Sequence, residues 1–320
     1  MGLNGARALV TGGFGFVGSQ LCRTLVERGS DVAVLDDLSV GSPENLPSAV
    51  AAEVRTIVAD VRDLDAVERH MRDFDPSVVV HLAAVHFIPT CEQHPTLAIG
   101  VNVAGTQSVL EACSRAGSVE AVVVASSGAV YAPASSAHDE EATLGPTDIY
   151  GFSKEWTERL ARYFHDSTGI SVGIARIFNV VGPGETNPHL LPAIIEQVRD
   201  GGELRLGNLS TRRDYVFSGD VAEGLVRLAE GCIGSGVLTC NLGSESAQTG
   251  GELVELVARA TGRELAVTPD PARFRESDRP LLLSDCTRAL DQLGWRAQTT
   301  IEDAVSAALA QPFATGYVPA

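Results

Sequence analysis

The sequence is short of positive charge and of long apolar runs, and each shortage excludes a class of protein. Its 24 Lys and Arg residues face 41 Asp and Glu residues, which gives a formal net charge of −17. That balance argues against general binding to nucleic acid or to an anionic membrane. No stretch reaches the roughly 18 apolar residues of a membrane-spanning helix, so none is expected. A small anionic ligand remains possible, because a few arginines and a helix N-terminus can hold one.

Clustered cysteines and a leader segment are also absent. No Cys-x-x-Cys pair occurs, which predicts buried free thiols and no metal site. The N-terminus passes directly into "ARALVTGG", without the basic and apolar regions of a secretory signal. We therefore expect a cytoplasmic protein. The scattered cysteines are Cys22, Cys91, Cys113, Cys232, Cys240 and Cys286.

The first half of the chain alternates short apolar runs with helical patterns. Such runs are typical of buried parallel strands, and the alternation predicts an α/β fold with a doubly wound parallel sheet of the Rossmann type. The predicted strands are "RALVTG", "DVAVLD" (31–36), "VRTIVAD" (54–60), "SVVVHLAA" (77–84), "EAVVVASS" (120–127), "SVGIARIFN" (171–179) and a late "VLTCNLG" (237–243).

A glycine motif lies between the first predicted strand and helix. In "LVTGGFGFVGSQL", Gly12, Gly15 and Gly18 recur every third residue. This is the spacing of a dinucleotide-binding turn, where glycine permits a tight turn and close approach of the backbone to a pyrophosphate. Asp36 ends the second strand, where a carboxylate can bind both ribose hydroxyls and repel a 2′-phosphate. No Lys or Arg occurs in "DDLSVGSPEN" to offset that repulsion, so the sequence predicts NAD rather than NADP.

The chemistry is predicted from a tyrosine and a lysine on one helix. Tyr150 and Lys154 in "DIYGFSKEWTERL" are four residues apart and therefore share a helix face. A lysine ammonium beside a phenol stabilises the phenolate, so we expect a lowered pKa for Tyr150 and an acid/base group near neutral pH. Ser126 and Ser127 end a predicted strand and offer a hydroxyl for the reacting oxygen.

With these motifs the chain resembles the extended short-chain dehydrogenase/reductases, in the NAD-dependent group of nucleotide-sugar epimerases and dehydratases. The resemblance covers nearly the whole chain. It implies an NAD-binding domain over 1–178 with returning segments at about 214–243, and a smaller nucleotide-sugar-binding subdomain formed by 179–213 and 244–320. It also implies a homodimer. The motifs that carry it, in order, are "TGGFGFVG", "LDDLSVGSPENL", "DVRD", "HLAA", "NVAGT", "ASSGAVY", "YGFSK", "RIFNVVGPGE", "RRDYVFSGDV" and "LGW".

The resemblance assigns roles to residues of this chain. Tyr150 would be the catalytic base, Lys154 would hold the nicotinamide ribose, and Ser127 would bind the reacting hydroxyl. Ser127 is preferred to Ser126 because it lies four residues before Tyr131, as the family's catalytic residue does. The expected cofactor residues are Gly12, Gly15, Phe16, Val17, Gly18, Asp36, Asp37, Leu38, Asp60, Val61, Leu82, Ala83, Ala84, Asn102, Tyr150 and Lys154. The expected substrate residues are His86, Ser127, Gly128, Asn179, Arg213 and Arg275.

The two residues after Ser127 select among the members of this group. Relatives that eliminate water carry an Asp-Glu pair there, whereas this chain has Gly128 and Ala129. The pattern therefore favours a 4-epimerase, which oxidises C4 to a 4-keto sugar and returns the hydride to the other face. The alternatives are a 4-ketosugar reductase that consumes NAD(P)H, an atypical dehydratase, or a non-catalytic NAD-sensing protein. "LGNLSTRRDYV" resembles GDP-sugar enzymes, so the nucleobase stays open.

A second open point is the loop "HFIPTCEQHP" (86–95). Cys91 stands where relatives usually have serine, and an inert thiol is the simpler interpretation. His86 is either an additional acid/base group or a packed histidine. The predicted dimer would use the helices around 96–116 and 150–167, whose apolar positions also suit packing on the sheet. Those positions are Val103, Val109, Leu110, Trp156, Leu160 and Phe164.

Overall fold

The large sheet contains seven strands, and all of its pairings are parallel. The computed structural model describes residues 2–185, 187–201, 203–273 and 279–310. The strands in these ranges are β1 (Arg7–Thr11), β2 (Asp31–Asp36), β3 (Val54–Val58), β4 (Val78–His81), β5 (Ala121–Ser127), β6 (Ser171–Ile177), β7 (Asn179–Val181), β8 (Leu204–Leu206), β9 (Arg212–Phe217), β10 (Val237–Leu242), β11 (Ala247–Thr249), β12 (Val267–Pro269) and β13 (Leu281–Leu282).

Helices connect most of these strands. The α-helices are α1 (Phe16–Glu27), α2 (Ser48–Ala51), α3 (Leu64–Phe74), α4 (Ile88–Gln93), α5 (Pro95–Ile99), α6 (Thr106–Ala116), α7 (Ile149–Thr168), α8 (Leu190–Arg199), α9 (Ser218–Cys232), α10 (Gly250–Thr261), α11 (Thr287–Leu293) and α12 (Ile301–Ala310). A π-helix (Gly100–Gly105) joins α5 to α6. Short 3₁₀ turns occur at Pro43–Asn45, Gly128–Val130 and Pro271–Arg273.

The order of strands in the large sheet is β10-β6-β5-β4-β1-β2-β3. Each of the seven predicted apolar runs supplies one of these strands, so the predicted doubly wound sheet is confirmed. Strand β1 lies between β2 and β4, and the direction of winding changes there. The carboxyl ends of β1 and β4 therefore border the crevice in which sheets of this kind bind their ligands.

Apolar packing covers both faces of the sheet. Helices α1 and α9 bury Leu21, Leu25 and Leu225 against one face. Helices α3, α6 and α7 cover the other face, where Met71 and Leu110 are buried. Each such side chain contributes about 1.5 to 3 kcal/mol when it leaves water. Two separate apolar layers thus hold the sheet from both sides, which explains the mainly apolar character of its inner strands.

A second, smaller unit follows β6. In it β9 pairs with β7, β11 and β13, while β8 pairs with β12. Helices α8, α10 and α12 enclose a separate core that includes Ile194, Leu253 and Val305. Residues 212–217 form strand β9 of this unit, and the helix that follows, α9, packs on the large sheet.

Candidate active site

The glycine loop between β1 and α1 leaves no room for side chains. Gly12 has a φ of +68°, and a Cβ atom there would lie 2.8 Å from the backbone nitrogen of Ala83. A Cβ atom on Gly18 would lie 2.1 Å from the Gly12 carbonyl oxygen. Gly15 is the N-cap of α1 and makes no side-chain cap. The first N–H groups of α1, including those of Phe16 and Val17, have no partners within the helix and are available to a phosphate.

Asp36 lies beside this loop at the end of β2. Its two carboxylate oxygens accept hydrogen bonds from the N–H groups of Phe14 (3.1 Å) and Leu38 (2.9 Å). Burial raises the pKa of Asp36, and the two backbone hydrogen bonds oppose that shift. Asp37 instead binds the N–H and hydroxyl groups of Ser39. The carboxylate of Asp36 is thus fixed against the glycine loop, where the sequence predicts the ribose.

Asp60 has a partner that the sequence analysis did not consider. Its carboxylate accepts hydrogen bonds from the Arg62 N–H at 2.8 Å and from the Arg62 guanidinium at 2.5 to 3.0 Å. These bonds lower the pKa of Asp60. The intervening Val61 is buried, and a Cβ atom on Gly105 would approach its Cγ2 atom to 2.7 Å. Asp60, one of the predicted cofactor residues, is therefore part of an ion pair.

The segment after β4 forms the wall opposite the glycine loop. Leu82 donates its N–H to the Thr11 carbonyl, and Ala83 donates to the Thr11 hydroxyl at 3.3 Å. His81 bridges the hydroxyls of Thr11 (2.7 Å) and Thr106 (2.9 Å). Burial lowers the pKa of His81 to about 3, so the ring is neutral. This chain of contacts fixes the distance between the ends of β1 and β4.

Asn102 holds the next residues of the same wall. Its amide oxygen accepts from the Val85 N–H at 2.8 Å, and its amide nitrogen donates to the Val85 carbonyl at 2.9 Å. The same nitrogen donates to the Ser153 hydroxyl on α7. The side chain is buried and fully engaged by these partners. Asn102 thus joins the wall at Ala84–Val85 to the helix that carries the predicted base.

The structure brings the three predicted catalytic residues together. Asp148 caps α7 through the Gly151 N–H at 2.8 Å, which places Tyr150 in the first turn and Lys154 one turn later. The Lys154 ammonium donates to the Ala125 carbonyl at 2.8 Å and lies 5.8 Å from the centre of the Tyr150 ring. Ser127 ends β5, and its hydroxyl lies near enough to the Tyr150 phenol to lower the pKa of that phenol.

The expected direction of the Tyr150 pKa shift was wrong. Burial of the phenol raises its pKa, and the neighbouring Ser127 hydroxyl opposes this only in part. Burial also lowers the pKa of Lys154 to about 8. Helix spacing correctly placed the two residues on one face, but spacing contains no information about burial. In the folded chain, removal of the phenol from water outweighs any stabilisation of the phenolate.

Loops from both units meet at the far end of the cleft. The Nε2 atom of His86 lies 2.9 Å from the side-chain nitrogen of Asn187, and its ring also bonds the Ala84 backbone. Burial lowers the pKa of His86 to about 3. The structure thus supports the packed histidine and not the additional acid/base group. His189 pairs with the buried Glu185 beside it, and neither residue was singled out from the sequence.

The other predicted substrate residues differ in their surroundings. Asn179 is exposed at the start of β7, whereas Gly128 is buried, with its Cα facing the ring of Phe178. Arg213 donates to the carbonyl oxygens of Arg212 and Arg279, at 3.0 and 2.7 Å. Arg275 lies outside the described residues. The structure thus places Asn179 at a surface that a ligand can reach. The Arg213 guanidinium instead binds two backbone carbonyl oxygens of the same chain.

A buried arginine that the sequence analysis missed supports the turn after Ser127. Arg279 donates to the carbonyl oxygens of Tyr131 (2.6 Å) and Ala129 (2.9 Å) and to the Thr147 hydroxyl (3.3 Å). These acceptors lie about 150 residues earlier in the chain, so no local pattern pointed to them. Arg279 therefore fixes the conformation of the residues that follow Ser127.

The cysteine near this site is unreactive. Cys91 donates its thiol to the Val85 carbonyl at 3.4 Å, and burial raises its pKa to about 12. The thiolate, which is the reactive form, is therefore scarce at neutral pH. Within the described ranges, no three metal-ligating side chains form a cluster, and no helix is long and apolar enough to cross a membrane.

Comparisons with known proteins agree with this geometry. The model of the "NAD dependent epimerase/dehydratase family" matches residues 8–237. The UDP-glucose 4-epimerase of Mycolicibacterium smegmatis is 32% identical, over 94% of this chain and 96% of the relative. The Thermus thermophilus UDP-glucose 4-epimerase solved with NAD is 32% identical, with a TM-score of 0.86 over 95% of this chain and 98% of that one. The Thermotoga maritima UDP-glucose 4-epimerase solved with UDP-glucose is 27% identical, with a TM-score of 0.85 over 95% and 97% of the two chains.

Proposed function

The chain belongs to the NAD-dependent epimerase/dehydratase family, and we propose that its substrate is a UDP-hexose. It is an NAD-dependent nucleotide-sugar 4-epimerase, and the reductase and dehydratase alternatives are not favoured. The observation that carries the proposal is the grouping of Ser127, Tyr150 and Lys154 beside a turn that has Gly128 and Ala129 at its start. This grouping offers one acid/base phenol and no carboxyl pair for elimination.

The residues of the crevice fit NAD as the cofactor. The backbone of Gly12 to Gly18 forms a cradle that any Cβ atom at Gly12 or Gly18 would fill. Asp36 presents a fixed carboxylate for a ribose diol and disfavours a 2′-phosphate. When bound, NAD⁺ would supply a hydride acceptor for the C4 carbon and a positive charge. The chain supplies the walls, the phosphate-binding N–H groups and the proton transfers.

Tyr150 moves the proton in this proposal. Its phenolate takes the proton of the sugar's C4 hydroxyl, and the phenol returns it to the 4-keto oxygen after the sugar has turned. Ser127 holds the same oxygen by a hydrogen bond, which orients it toward Tyr150. The Lys154 ammonium lies 5.8 Å from the ring centre. Its positive charge partly offsets the effect of burial and favours the phenolate, which is the form that accepts the proton.

We assign substrate selection to the end of the cleft where the loops that carry His86 and Asn187 meet. The relatives named above are UDP-glucose 4-epimerases, and one was solved with UDP-glucose. This supports UDP over GDP as the nucleotide. His86, Asn179 and Arg213 are the described residues that we assign to substrate binding, with Asn179 the most exposed. Asn187 holds His86 in place from the smaller unit.

The test uses purified protein with no added cofactor. UDP-, GDP-, CDP- and dTDP-sugars are incubated separately and followed by NMR, and absorbance at 340 nm is recorded. We expect interconversion of UDP-glucose and UDP-galactose with no net change in absorbance. Tyr150→Phe should reduce the rate about 10²- to 10⁴-fold because the proton acceptor is lost. The matched control is Tyr163→Phe, on the exposed face of the same helix, which should keep the parent rate.

Other products would contradict the proposal in distinct ways. Turnover only with a 4-keto sugar and stoichiometric NAD(P)H would establish a reductase. A deoxy product would show that elimination proceeds without the Asp-Glu pair. Epimerisation of a GDP-sugar but not of a UDP-sugar would retain the reaction and replace the nucleotide. A parent-like rate for Tyr150→Phe would remove Tyr150 from the chemistry.

A homodimer is part of the proposal. Phe152, Trp156 and Tyr163 form one exposed stripe on α7, with 44%, 46% and 69% of their surfaces accessible. Leu97 and Ile99 add exposed apolar surface from the adjacent α5. Exposed apolar surface of this extent is typical of an interaction site. We therefore place the interface at this stripe and at α5. Three positions that the sequence had offered for it, Val109, Leu110 and Phe164, are buried within the protomer core.

The dimer is tested by light scattering after size exclusion. We expect the mass of two chains for the parent and of one chain for Trp156→Glu, which places a charge in the stripe. A monomeric parent would contradict the proposal.

The cytoplasmic location is also proposed, supported by six free and buried cysteines among the described residues. Cell fractionation would test it.

A further inference from the structure

A buried ion pair lies behind the acid/base residues and has no part in the mechanism described above. Glu158 and Arg176 are 2% and 3% exposed. The Nε and NH2 atoms of Arg176 donate to the two different carboxylate oxygens of Glu158, both at 2.8 Å. This two-bond arrangement fixes orientation as well as distance. The two bonds together therefore fix the positions of both side chains.

The pair joins the two elements that carry the catalytic groups. Glu158 lies on α7, one turn after Lys154 and two turns after Tyr150. It also accepts a hydrogen bond of 2.5 Å from the hydroxyl of Ser126, the residue before Ser127 on β5. Arg176 is the register partner of Ser126 on the neighbouring β6. One carboxylate thus connects the strand that carries Ser127 to the helix that carries Tyr150.

The arginine extends this connection to the turn that follows Ser127. Its NH1 atom donates to the Tyr131 hydroxyl at 3.1 Å and to the Glu140 carbonyl at 2.8 Å. Its guanidinium also lies 4.9 Å from the centre of the Tyr131 ring. The Tyr131 hydroxyl in turn donates to Asn241 on β10 at 2.6 Å. The residues before and after the catalytic serine are therefore both held by the pair.

Stability alone does not account for such a pair. Removing two charges from water is costly, and well-packed apolar replacements of buried pairs are often neutral or stabilising. Geometry gives a better account, because a misplacement of about 1 Å between reacting groups can reduce a rate about 100-fold. Ser127 on β5 and Tyr150 on α7 are the two groups whose separation the connected elements determine.

We propose that Glu158 and Arg176 are positioning residues that hold the Ser127 hydroxyl at its working distance from the Tyr150 phenol. The activity readouts rest on the proposed function, whereas the spectroscopic readout does not. Neither residue is among those that we assign to substrate or cofactor binding. Their effect passes through Ser126 and β5 on one side and through α7 on the other.

The first experiment compares Glu158→Gln with Glu155→Gln in the full-length parent. Both variants convert a carboxylate to an amide on α7, but Glu155 lies in a surface pair with Arg159. We expect Glu158→Gln to lower kcat at least about tenfold and to leave KM for the UDP-sugar within about threefold. The isotope effect with substrate deuterated at C4 should rise, because the chemical step becomes slower. Glu155→Gln should match the parent in all three quantities.

The second experiment needs no turnover. ¹³C-tyrosine labelling gives five Cζ resonances, since the chain has five tyrosines, and Tyr150→Phe identifies that of Tyr150. Glu158→Gln should displace the Tyr150 resonance, and Glu155→Gln should not. An unchanged resonance would overturn the inference even if the parent lacked epimerase activity. An inactive parent would overturn the proposed function alone.

A third variant covers the event that Glu158→Gln does not fold. The double change Glu158→Leu with Arg176→Met removes both charges and retains apolar volume. We expect a folded protein with a displaced Tyr150 resonance and a kcat reduced at least about tenfold. A double variant with parental kcat and an unmoved resonance would show that the pair does not position the site.

Discussion

The large and small sheets of this protein are stabilised in different ways. The large sheet has strands that are mostly buried, apart from the edge strand β3, and apolar helices cover both of its faces. The small sheet has strands of two to six residues, and polar side chains hold its central strand. The comparison indicates that the large sheet depends on close apolar and backbone packing, whereas the small sheet depends in addition on one buried, hydrogen-bonded carboxylate, that of Asp214.

Asp214 is the centre of the polar arrangement in the small sheet. This carboxylate on β9 is fully buried and accepts hydrogen bonds from the backbone and hydroxyl groups of Ser244 and Ser284. It also accepts from the Glu245 N–H at 3.1 Å. One side chain therefore joins β9 to the loops after β10 and β13, which short strands alone would not hold.

The largest effect that sharpens this comparison is expected from Gly18→Ala. The new methyl group would meet the Gly12 carbonyl at 2.1 Å and the Gly13 Cα atom at 2.7 Å, and neither is a side chain that can rotate away. Overpacking against backbone should lower the free energy of unfolding by about 3 kcal/mol or more. Retained NAD should also be lost, as measured by absorbance of the denatured protein's supernatant. Normal NAD content would contradict the assignment of this loop to the cofactor.

The corresponding change in the small sheet is Asp214→Asn. The amide replaces one acceptor oxygen with a donor and leaves buried N–H or O–H groups unpaired, at a cost of about 2 to 3 kcal/mol. We expect KM for the UDP-sugar to rise more than kcat falls, with NAD content unchanged. Asp303→Asn, at an exposed carboxylate on α12, is the control. Loss of NAD from Asp214→Asn would show that the two sheets are not separately stabilised.

The next effect is a pH dependence in the large sheet. The pKa of His81 is about 3 in the fold and 6.5 without it. The unfolded chain therefore takes up a proton below pH 6.5 while the folded chain does not, so stability falls as pH decreases from 6.5 toward 3. From pH 7 to pH 5, His81 should account for a loss of about 2 kcal/mol.

Denaturant unfolding of the parent and His81→Gln at both pH values measures this loss. Glutamine stays neutral and can bond both Thr11 and Thr106, so the stability difference between parent and variant should shrink by that amount at pH 5. Equal pH profiles would contradict the prediction. For Asp214 the pH dependence of stability has the opposite sign. Burial raises the pKa of its carboxyl group in the fold, so its contribution to stability is lost as pH rises.

The same comparison explains what the sequence could predict. Each strand of the large sheet is a run of Val, Ile, Leu and Ala between turn residues, so its presence and its order along the chain were predictable. The grouping of Tyr150 and Lys154 with a strand-end serine was also predictable, because a helix repeat and a strand end bring them together, and the family resemblance selected Ser127. Strands of two or three residues are too short to show a period, and β9 begins with two arginines and an aspartate.

Other features depended on contacts between distant parts of the chain. Arg279 supports the turn after Ser127 from about 150 residues away, and the Glu158–Arg176 pair joins a helix to a later strand. No local pattern identifies such partners. The pKa of Tyr150 was misjudged for the same reason, because burial is a property of the assembled fold and not of a four-residue spacing.

The smallest effect should come from Gly251→Ala, which is the same chemical change as Gly18→Ala in the other half of the molecule. Gly251 lies in the first turn of α10, beside Thr249, whose hydroxyl caps the helix. An added Cβ atom would have Thr249 Oγ1 as its nearest neighbour, at an ordinary 3.8 Å. Alanine reduces the freedom of the unfolded chain, so stability should rise by about 0.5 kcal/mol in denaturant unfolding. NAD content and kcat should equal those of the parent. A loss of stability comparable with that of Gly18→Ala would mean that backbone crowding is not what distinguishes the cofactor loop from an ordinary helix start.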